Sequence, residues 1–350
     1  MTPAYISNEY LELDTLRDLS ARVGDNRLLV QASTGNTSVK IDDVLWIKAS
    51  GKWLVQADAC DFLVPVKLAR ARECVSQNTP IPETLPSPHG DAVASIETAM
   101  HVVMPQKVVV HVHSVNTIAW AVRADAPHCL ASRLAGLNWQ WIPYIPSGIA
   151  LAASIQRVLV RFPQTNVLVL GNHGLVVCGE SCLSVERLLA EVEERVAVTP
   201  RSVPNCHPSL LRDAFPESAW SLPESPAAHA LAADPASWRI LSGGVLYPCQ
   251  AIFLPGAAPA LASSLPRELQ FLLRERMPLL IEKHGIVCSK YMTRADQEIL
   301  SGLIEIVQRI DPSAPIRYLS TTEVLDVLQG GSDNYRNLSE INCYSKTAYI

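Results

Sequence analysis

Two histidines stand one residue apart in an apolar run, His111 and His113 in "VVVHVHSVN". Side chains of an extended segment alternate between faces. Val109, His111 and His113 therefore point one way, and Val108, Val110 and Val112 the other. Two neutral imidazoles about 7 Å apart along a strand can share one metal ion if a third ligand arrives from elsewhere. His173 is the candidate, in "GNHGL" at the turn after an apolar strand, where the flanking glycines let the backbone turn tightly. Three imidazole nitrogens leave a position open for water or substrate, as in catalytic zinc sites. Glu97 is the fourth piece. On a helical wheel Val93, Ile96, Glu97, Met100 and Met104 share one face, so a carboxylate sits inside an apolar stripe. A lone buried carboxylate is costly unless it is paired, coordinated or protonated. Beside a metal it could bind the ion at rest and act as general base once substrate displaces it. His101, on the flank of the same helix, reads as structural.

The elements that must position these residues can be read from periodicity. Residues 8–23 form an amphipathic helix on the spacing of Leu11, Leu13, Leu16, Leu19 and Val23. Short β-like runs follow, "RLLVQAS", "NTSVKID" and "VLWIKAS". Then come a helix over "VASIETAMHVVM", a strand over "KVVVHVHS", and two strands around a tight turn in "VLVLGNHGLVVCG". A helix over "SVERLLAEVEERVA" has Ser184 as its cap. Between about 199 and 227 the chain is rich in Pro and Ser, which marks a linker or boundary. Beyond it, the stretch starting at Ala260 repeats the order of the stretch starting at Ala150: helix, loop, strand, His-Gly, strand, helix. The copy has His284 but no His-x-His pair upstream and no equivalent Glu helix. It is expected to lack a metal site and to serve packing or assembly.

The bulk numbers bound the function classes. With 350 residues, 48% hydrophobic and 18% charged, the chain can bury a sizeable core in two domains. A net charge of −5 without a long basic run makes nucleic acid an unexpected partner. Nine cysteines without a CxxC fit reduced, mostly buried thiols better than a disulfide framework. The first residues lack the pattern of a signal peptide, and no uncharged apolar stretch reaches membrane-spanning length. A cytoplasmic setting with no membrane partner is the expectation.

These pieces, in this order, resemble the class II aldolase/adducin family, the zinc-dependent sugar-phosphate aldolases of the fuculose- and rhamnulose-phosphate type. The matching stretches are "STGNTSVKIDDVLWIKASG", "SIETAMH", "HVHSVNTIAWA", "IPYIPSGIALA" and "GNHGLVVCG", covering roughly residues 10–198. The "IETAMH" and "IPYIPSG" variants are similar to rhamnulose-phosphate aldolase-like members. By that resemblance His111, His113 and His173 would hold Zn²⁺ or another divalent metal. Glu97 would give and take the proton at the substrate carbon. Glutamate there looks like the aldolases; the related ribulose-phosphate 4-epimerases carry aspartate. The family's phosphate pocket would fall on Asn36, Ser50, Gly51 and Ser95. The aldolase "Ser-Ser-Glu" reads Ser95-Ile96-Glu97 here, so one phosphate donor is missing.

The resemblance implies a three-layer α/β/α sandwich around a central, mainly antiparallel sheet, followed by a C-terminal diverged half-repeat of the same fold. The expected organisation is a metal-binding catalytic domain over 1–200, a linker over 201–230 and a partial repeat over 231–350. The implied activity is reversible aldol cleavage of a ketose or ketose phosphate through a zinc-stabilised enediolate. Epimerases and sugar-acid phosphate decarboxylases share the fold, and an adducin-like interaction module is the non-catalytic alternative. The family's leaving-group acid comes from a neighbouring subunit, so a symmetric homo-oligomer is expected. Tyr335, Tyr344 and Tyr349 are candidates for that acid by location alone.

Overall fold

A computed structural model describes residues 8–58, 62–81, 92–203, 208–215, 219–254, 260–262 and 278–344. The first half runs α1 (Asn8–Asp25), β1 (Asn36–Ile41), β2 (Val44–Lys48), β3 (Leu63–Lys67), α2 (Leu68–Ser76), α3 (Thr98–Val103), β4 (Val108–Val112), α4 (Val115–Ala121), α5 (Ala126–Arg133), β5 (Trp139–Ile142), α6 (Ile149–Arg161), β6 (Val167–Leu170), β7 (Gly174–Gly179) and α7 (Cys182–Val196). The second half runs α8 (Ser209–Ala214), β8 (Trp220–Ser221), α9 (Pro226–Ala233), α10 (Pro235–Ser242), α11 (Pro248–Phe253), β9 (Ala260–Ala262), β10 (Pro278–Ile281), β11 (Gly285–Ser289), α12 (Arg294–Arg309), α13 (Thr321–Gln329) and α14 (Ser332–Tyr344).

Seven strands make the central sheet in the order β3-β2-β1-β4-β7-β6-β5, antiparallel throughout except for the β5–β6 pair. Helices cover both faces. Val108, Val110 and Val112 of β4 turn toward α1, α4 and α7, where Leu16, Leu19, Ala121 and Leu189 close one apolar layer. Val109, on the opposite face, packs with Met100 of α3 and Leu151 and Ile155 of α6. This is the expected three-layer arrangement, and it follows from continuous apolar strands that need cover on both sides.

Several local expectations are corrected. Residues 27–33, expected as a strand, wind through turns. There the Asn26 side chain accepts from Leu28 N at 3.0 Å, Thr34 Oγ1 donates to Gln31 O at 2.7 Å, and Ala32 sits at φ 53°. The helix expected over 93–104 begins only at Thr98, and Val93 and Ile96 are each 58% exposed. Ser181, not Ser184, caps α7; Ser184 is the third helical residue of a reciprocal capping box.

In the second half a four-stranded sheet runs β8-β11-β10-β9. Its pairings repeat those of β4-β7-β6-β5: one parallel pair at the edge, then a tight antiparallel hairpin. In both hairpins the residue before the His-Gly pair is left-handed, Asn172 at φ 50° and Lys283 at φ 65°. One aligned position differs. Ala260–Ala262, expected to open a helix as Ala150 does, forms β9, and residues 263–277 lie outside the described residues. The Pro- and Ser-rich span near 201–230 carries α8, β8 and the start of α9, with Leu211 and Trp220 buried.

The two halves share one apolar core. Trp53, Val115, Ile118 and Val122 pack with Leu231, Leu241, Leu246, Phe253, Leu300 and Leu303. Six cysteines among the described residues are free thiols, five of them buried. No helix among the described residues is long and apolar enough to cross a membrane.

Candidate metal centre

β4 runs straight into the site. His111 is its fourth residue and His113 follows its end, so both rings leave the same face. His173 arrives from the β6–β7 hairpin next door, after left-handed Asn172. Gly174 makes the approach possible: a Cβ there would lie 2.5 Å from Val112 O. The three rings form a near-equilateral set, with centroids 5.0, 4.9 and 5.0 Å apart. All three histidines are buried.

His111 Nδ1 lies 2.9 Å from Leu175 O, so it carries the hydrogen and leaves Nε2 as a bare lone pair facing inward. His113 Nε2 is 3.1 Å from that nitrogen. Two nitrogens bound to one tetrahedral zinc ion at ordinary bond lengths are about 3.3 Å apart, so this spacing suits a shared ion. Glu97 Oε1 lies 3.0 Å from His173 Nε2 and 3.4 Å from His111 Nε2. Glu97, His111, His113 and His173 offer ligand atoms all within 4.8 Å of one another. The residues present therefore fit a divalent cation: borderline nitrogen donors, one carboxylate, and burial that makes uncompensated charge costly.

Glu97 does not reach this place from an apolar helical stripe. It is the residue that enters α3, with φ −86° and ψ 2°. Its burial comes from tertiary partners that a helical wheel does not contain. Asn36 Nδ2 donates to Oε2 at 2.7 Å, and Ser147 Oγ donates to Oε1 at 3.2 Å. Burial alone would push the carboxyl up; with no cation at the centre, the charge and hydrogen bonds that His111 and His173 supply in their protonated forms outweigh it and hold the carboxyl well below its ordinary value.

His101 is more than filler. It is fully buried, and burial drives its pKa down to about 3, so the ring is neutral. Asn36 points its amide nitrogen at Glu97, so its carbonyl oxygen faces His101 Nε2, which must then donate. Ser38 Oγ, 2.7 Å from Nδ1, donates back. The result is one directed chain, Ser38 to His101 to Asn36 to Glu97, ending on the carboxylate. Sequence reasoning missed the chain's first three members as a unit. The visible signal was the alternation of Asn36 and Ser38 on β1, opposite a histidine four residues past Glu97.

A cavity of about 320 Å³ opens in front of the centre. Asn36, Ser50, Ser95, Glu97, His113 and His173 line it; Gly51 does not. Its opposite wall belongs to the second half of the chain, with Cys249 of α11, Asp326 of α13 and Tyr335 of α14. Cys249 Sγ lies 3.4 Å from His113 Nδ1, so α11 touches a histidine of the cluster from behind. Tyr335 O–H donates to Ser33 O at 3.0 Å. The side chain of Tyr344 and all of Tyr349 lie outside the described residues.

Residues 16–199, more than half of the chain, match the family model described as Class II Aldolase and Adducin N-terminal domain. The chain belongs to that family. Among curated proteins it is 27% identical over 175 residues to the uncharacterized oxidoreductase YuxG of Bacillus subtilis (strain 168). That match takes in 45% of this chain and 25% of that protein, so the chain spans about a quarter of its relative's length. Among solved structures it is similar to the N-terminal class II aldolase domain of a Thermoplasma acidophilum protein, at 23% identity and a TM-score of 0.47, covering 56% of this chain and 95% of that one. It is also similar to the L-fuculose-1-phosphate aldolase of Thermus thermophilus, at 19% identity and a TM-score of 0.38, covering 53% and 91%.

Proposed function

We propose that this family member is a divalent-metal-dependent lyase that cleaves a ketose or ketose phosphate by a reversible aldol reaction, with Glu97 as its acid and base. One observation carries the reading: a buried carboxylate stands 3.0 and 3.4 Å from two of three converging imidazoles, while Asn36 and Ser147 hold it in place. His111, His113 and His173 would hold the ion, zinc or another divalent metal, which when bound supplies a Lewis acid for a carbonyl and a neighbouring hydroxyl. Glu97 supplies the proton chemistry. In cleavage the hydroxyl on the carbon that becomes the aldehyde gives up its proton to solvent, the carbon–carbon bond breaks and leaves its electron pair on the carbonyl side, and Glu97, having taken a proton from solvent, delivers it to the carbon that keeps the pair. In condensation it removes that proton. The Ser38–His101–Asn36 chain fixes the carboxylate for both directions. The site is small and partly apolar, which suits a sugar-sized molecule.

Decarboxylation of a sugar acid is the second reading, and Lys48 is the observation that favours it. Its ammonium lines the cavity and donates to Ser33 O and to Lys52 O at 2.8 Å, leaving one N–H for a substrate carboxylate. We also read the second half as a diverged partial repeat beyond a linker, supported by the repeated hairpin and strand order. It serves as a wall of the site rather than as a second centre.

The test has two steps. The purified chain is assayed for bound divalent metal, then screened against free ketoses, ketose phosphates and sugar acids, with Glu97→Gln as control. Aldehyde release from a ketose supports the lyase. Carbon dioxide release supports the second reading. A chain that binds no divalent ion sinks both.

A further inference from the structure

We infer that Cys249, a residue of the second half, is the hydrogen-bond acceptor that orients the His113 ring, so that the second half sets how tightly the centre holds a metal ion. The inference rests on the metal-binding reading given above and adds a positioning residue to it.

The cluster itself dictates where the hydrogen of His113 sits. Its Nε2 faces the centre, 3.1 Å from His111 Nε2. A neutral imidazole has one bare nitrogen and one N–H, so a ring that gives Nε2 to a cation carries its hydrogen on Nδ1. That N–H is buried with its ring and needs an acceptor. His111 finds its acceptor inside the family domain, Leu175 O at 2.9 Å. For His113 the partner of Nδ1 among the described residues is Cys249 Sγ at 3.4 Å, 136 positions along the chain.

The backbone that delivers the thiol is fastened on both sides. Cys249 is buried and is the second residue of α11. Just before it, Leu246 N donates to Gln250 Oε1 at 2.9 Å, and Leu246 O accepts from Asn172 Nδ2 at 2.8 Å. The entry to α11 is thereby tied to the turn that carries His173. At the other end of α11, Phe253 meets Tyr335 of α14 edge to face, with ring centroids 5.8 Å apart. Gln250 and Phe253 are both fully buried. A sulfur held on such a frame fixes the plane of the His113 ring, as the Leu175 carbonyl fixes that of His111. The two acceptors differ in strength. Thiol sulfur accepts more weakly than a carbonyl oxygen, so it leaves His113 Nε2 the less basic of the two donors.

The test measures Zn²⁺ affinity of the full chain by competition with a chromophoric chelator. The wild type is compared with Cys249→Ser, Cys249→Val and Cys249→Ala, and visible absorption of the Co²⁺-loaded chains reports the ligand geometry. Serine keeps an acceptor, valine fills the space without one, and alanine removes both. Cys249→Ser is expected to bind Zn²⁺ within about threefold of the wild type, and the valine and alanine variants about 10- to 100-fold more weakly, with shifted Co²⁺ bands. Circular dichroism of the metal-free chains checks folding; should Cys249→Val lose its fold, Cys249→Ala carries the comparison. Wild-type affinity in the folded variants that lack an acceptor overturns the inference. So does a serine variant as weak as the valine one, because packing and not the acceptor would then be what matters. Those results leave the metal centre standing. A wild-type chain that binds neither Zn²⁺ nor Co²⁺ instead overturns the metal-binding reading, and this inference with it.

Discussion

Glu97→Gln separates proton transfer from metal holding. The substitution keeps the shape of the side chain. Its carbonyl oxygen can still accept from Asn36, now 2.7 Å from Oε2, while its NH₂ takes the position of Oε1 beside Ser147 and His173. One hydrogen bond of modest net worth, about 1 kcal/mol, is exchanged for another, so the fold should stand. The three imidazoles are untouched, so bound metal should stay near one ion per chain. What disappears is the one carboxylate that stands among the three imidazoles in the described residues. General acid–base catalysis is worth about 10²- to 10⁴-fold, or about 3 to 5 kcal/mol of barrier, and turnover should fall by that much. The assay pairs metal content with initial rates on the substrate identified by the screen. It adds deuterium uptake from solvent at the carbon that Glu97 serves. Turnover within about threefold of the wild type, at full metal occupancy, would refute the role. Loss of metal together with activity would show that the carboxylate acts as a ligand and not as a base.

His111→Ala removes the nitrogen whose partner is fixed by Leu175 O, and should abolish both metal binding and turnover; a variant that keeps full metal would contradict the ligand set. Asn36→Ala leaves Glu97 Oε2 and His101 Nε2 without their shared partner. It should retain metal, lose roughly 10- to 100-fold in kcat with little change in KM, and lose roughly 2 to 4 kcal/mol of stability; unchanged kcat would remove the positioning chain from the argument. Lys40 gives a pH signature away from the centre. Its buried ammonium donates to Met104 O and to Gln106 O at 2.7 Å, and burial lowers its pKa to about 8 from 10.5. The folded state therefore sheds this proton first. The cost of the buried charge is fully present below pH 8 and is relieved as pH rises toward 10.5. Relative to Lys40→Met, the wild type should gain about 1.4 kcal/mol per pH unit inside that window. Denaturant melts of both proteins at pH 8, 9 and 10 measure it, and a constant difference between them would show that Lys40 does not titrate there.

The centre was legible in the sequence because its parts obey short-range rules. A strand has a period of two, so His111 and His113 had to share a face. A glycine-flanked turn after a second apolar strand had to turn back toward its neighbour, and β7 pairs with β4 opposite His111. The helix around Glu97 was misread for the converse reason. Val93 and Ile96 completed an apolar stripe on paper, yet both lie in the loop before α3 and face solvent or the cavity. The carboxylate is buried by Asn36, 61 positions away, and by Ser147, 50 positions away. No periodicity in a local window contains those partners.

The second half poses the same problem at longer range. Its hairpin and strand order could be anticipated from the repeat, but its role at the site could not. The contacts that make it a wall join residues 286 and 302 positions apart, Trp53 to Ser339 and Ser33 to Tyr335. They rest on residues that look ordinary in sequence: a tryptophan after a turn, a backbone carbonyl, a glycine that would read as turn chemistry. Asn172 shows the consequence for the centre itself. Its amide nitrogen donates to Leu246 O at 2.8 Å and to Arg317 O at 2.7 Å, so the turn that presents His173 is fastened to the second half. Cys249 does the same behind His113. Two of the three imidazoles are thus held in place partly by residues beyond 199, where the family match ends. The histidine pattern belongs to the family domain, while several of the contacts that fasten it and one wall of the cavity belong to the second half.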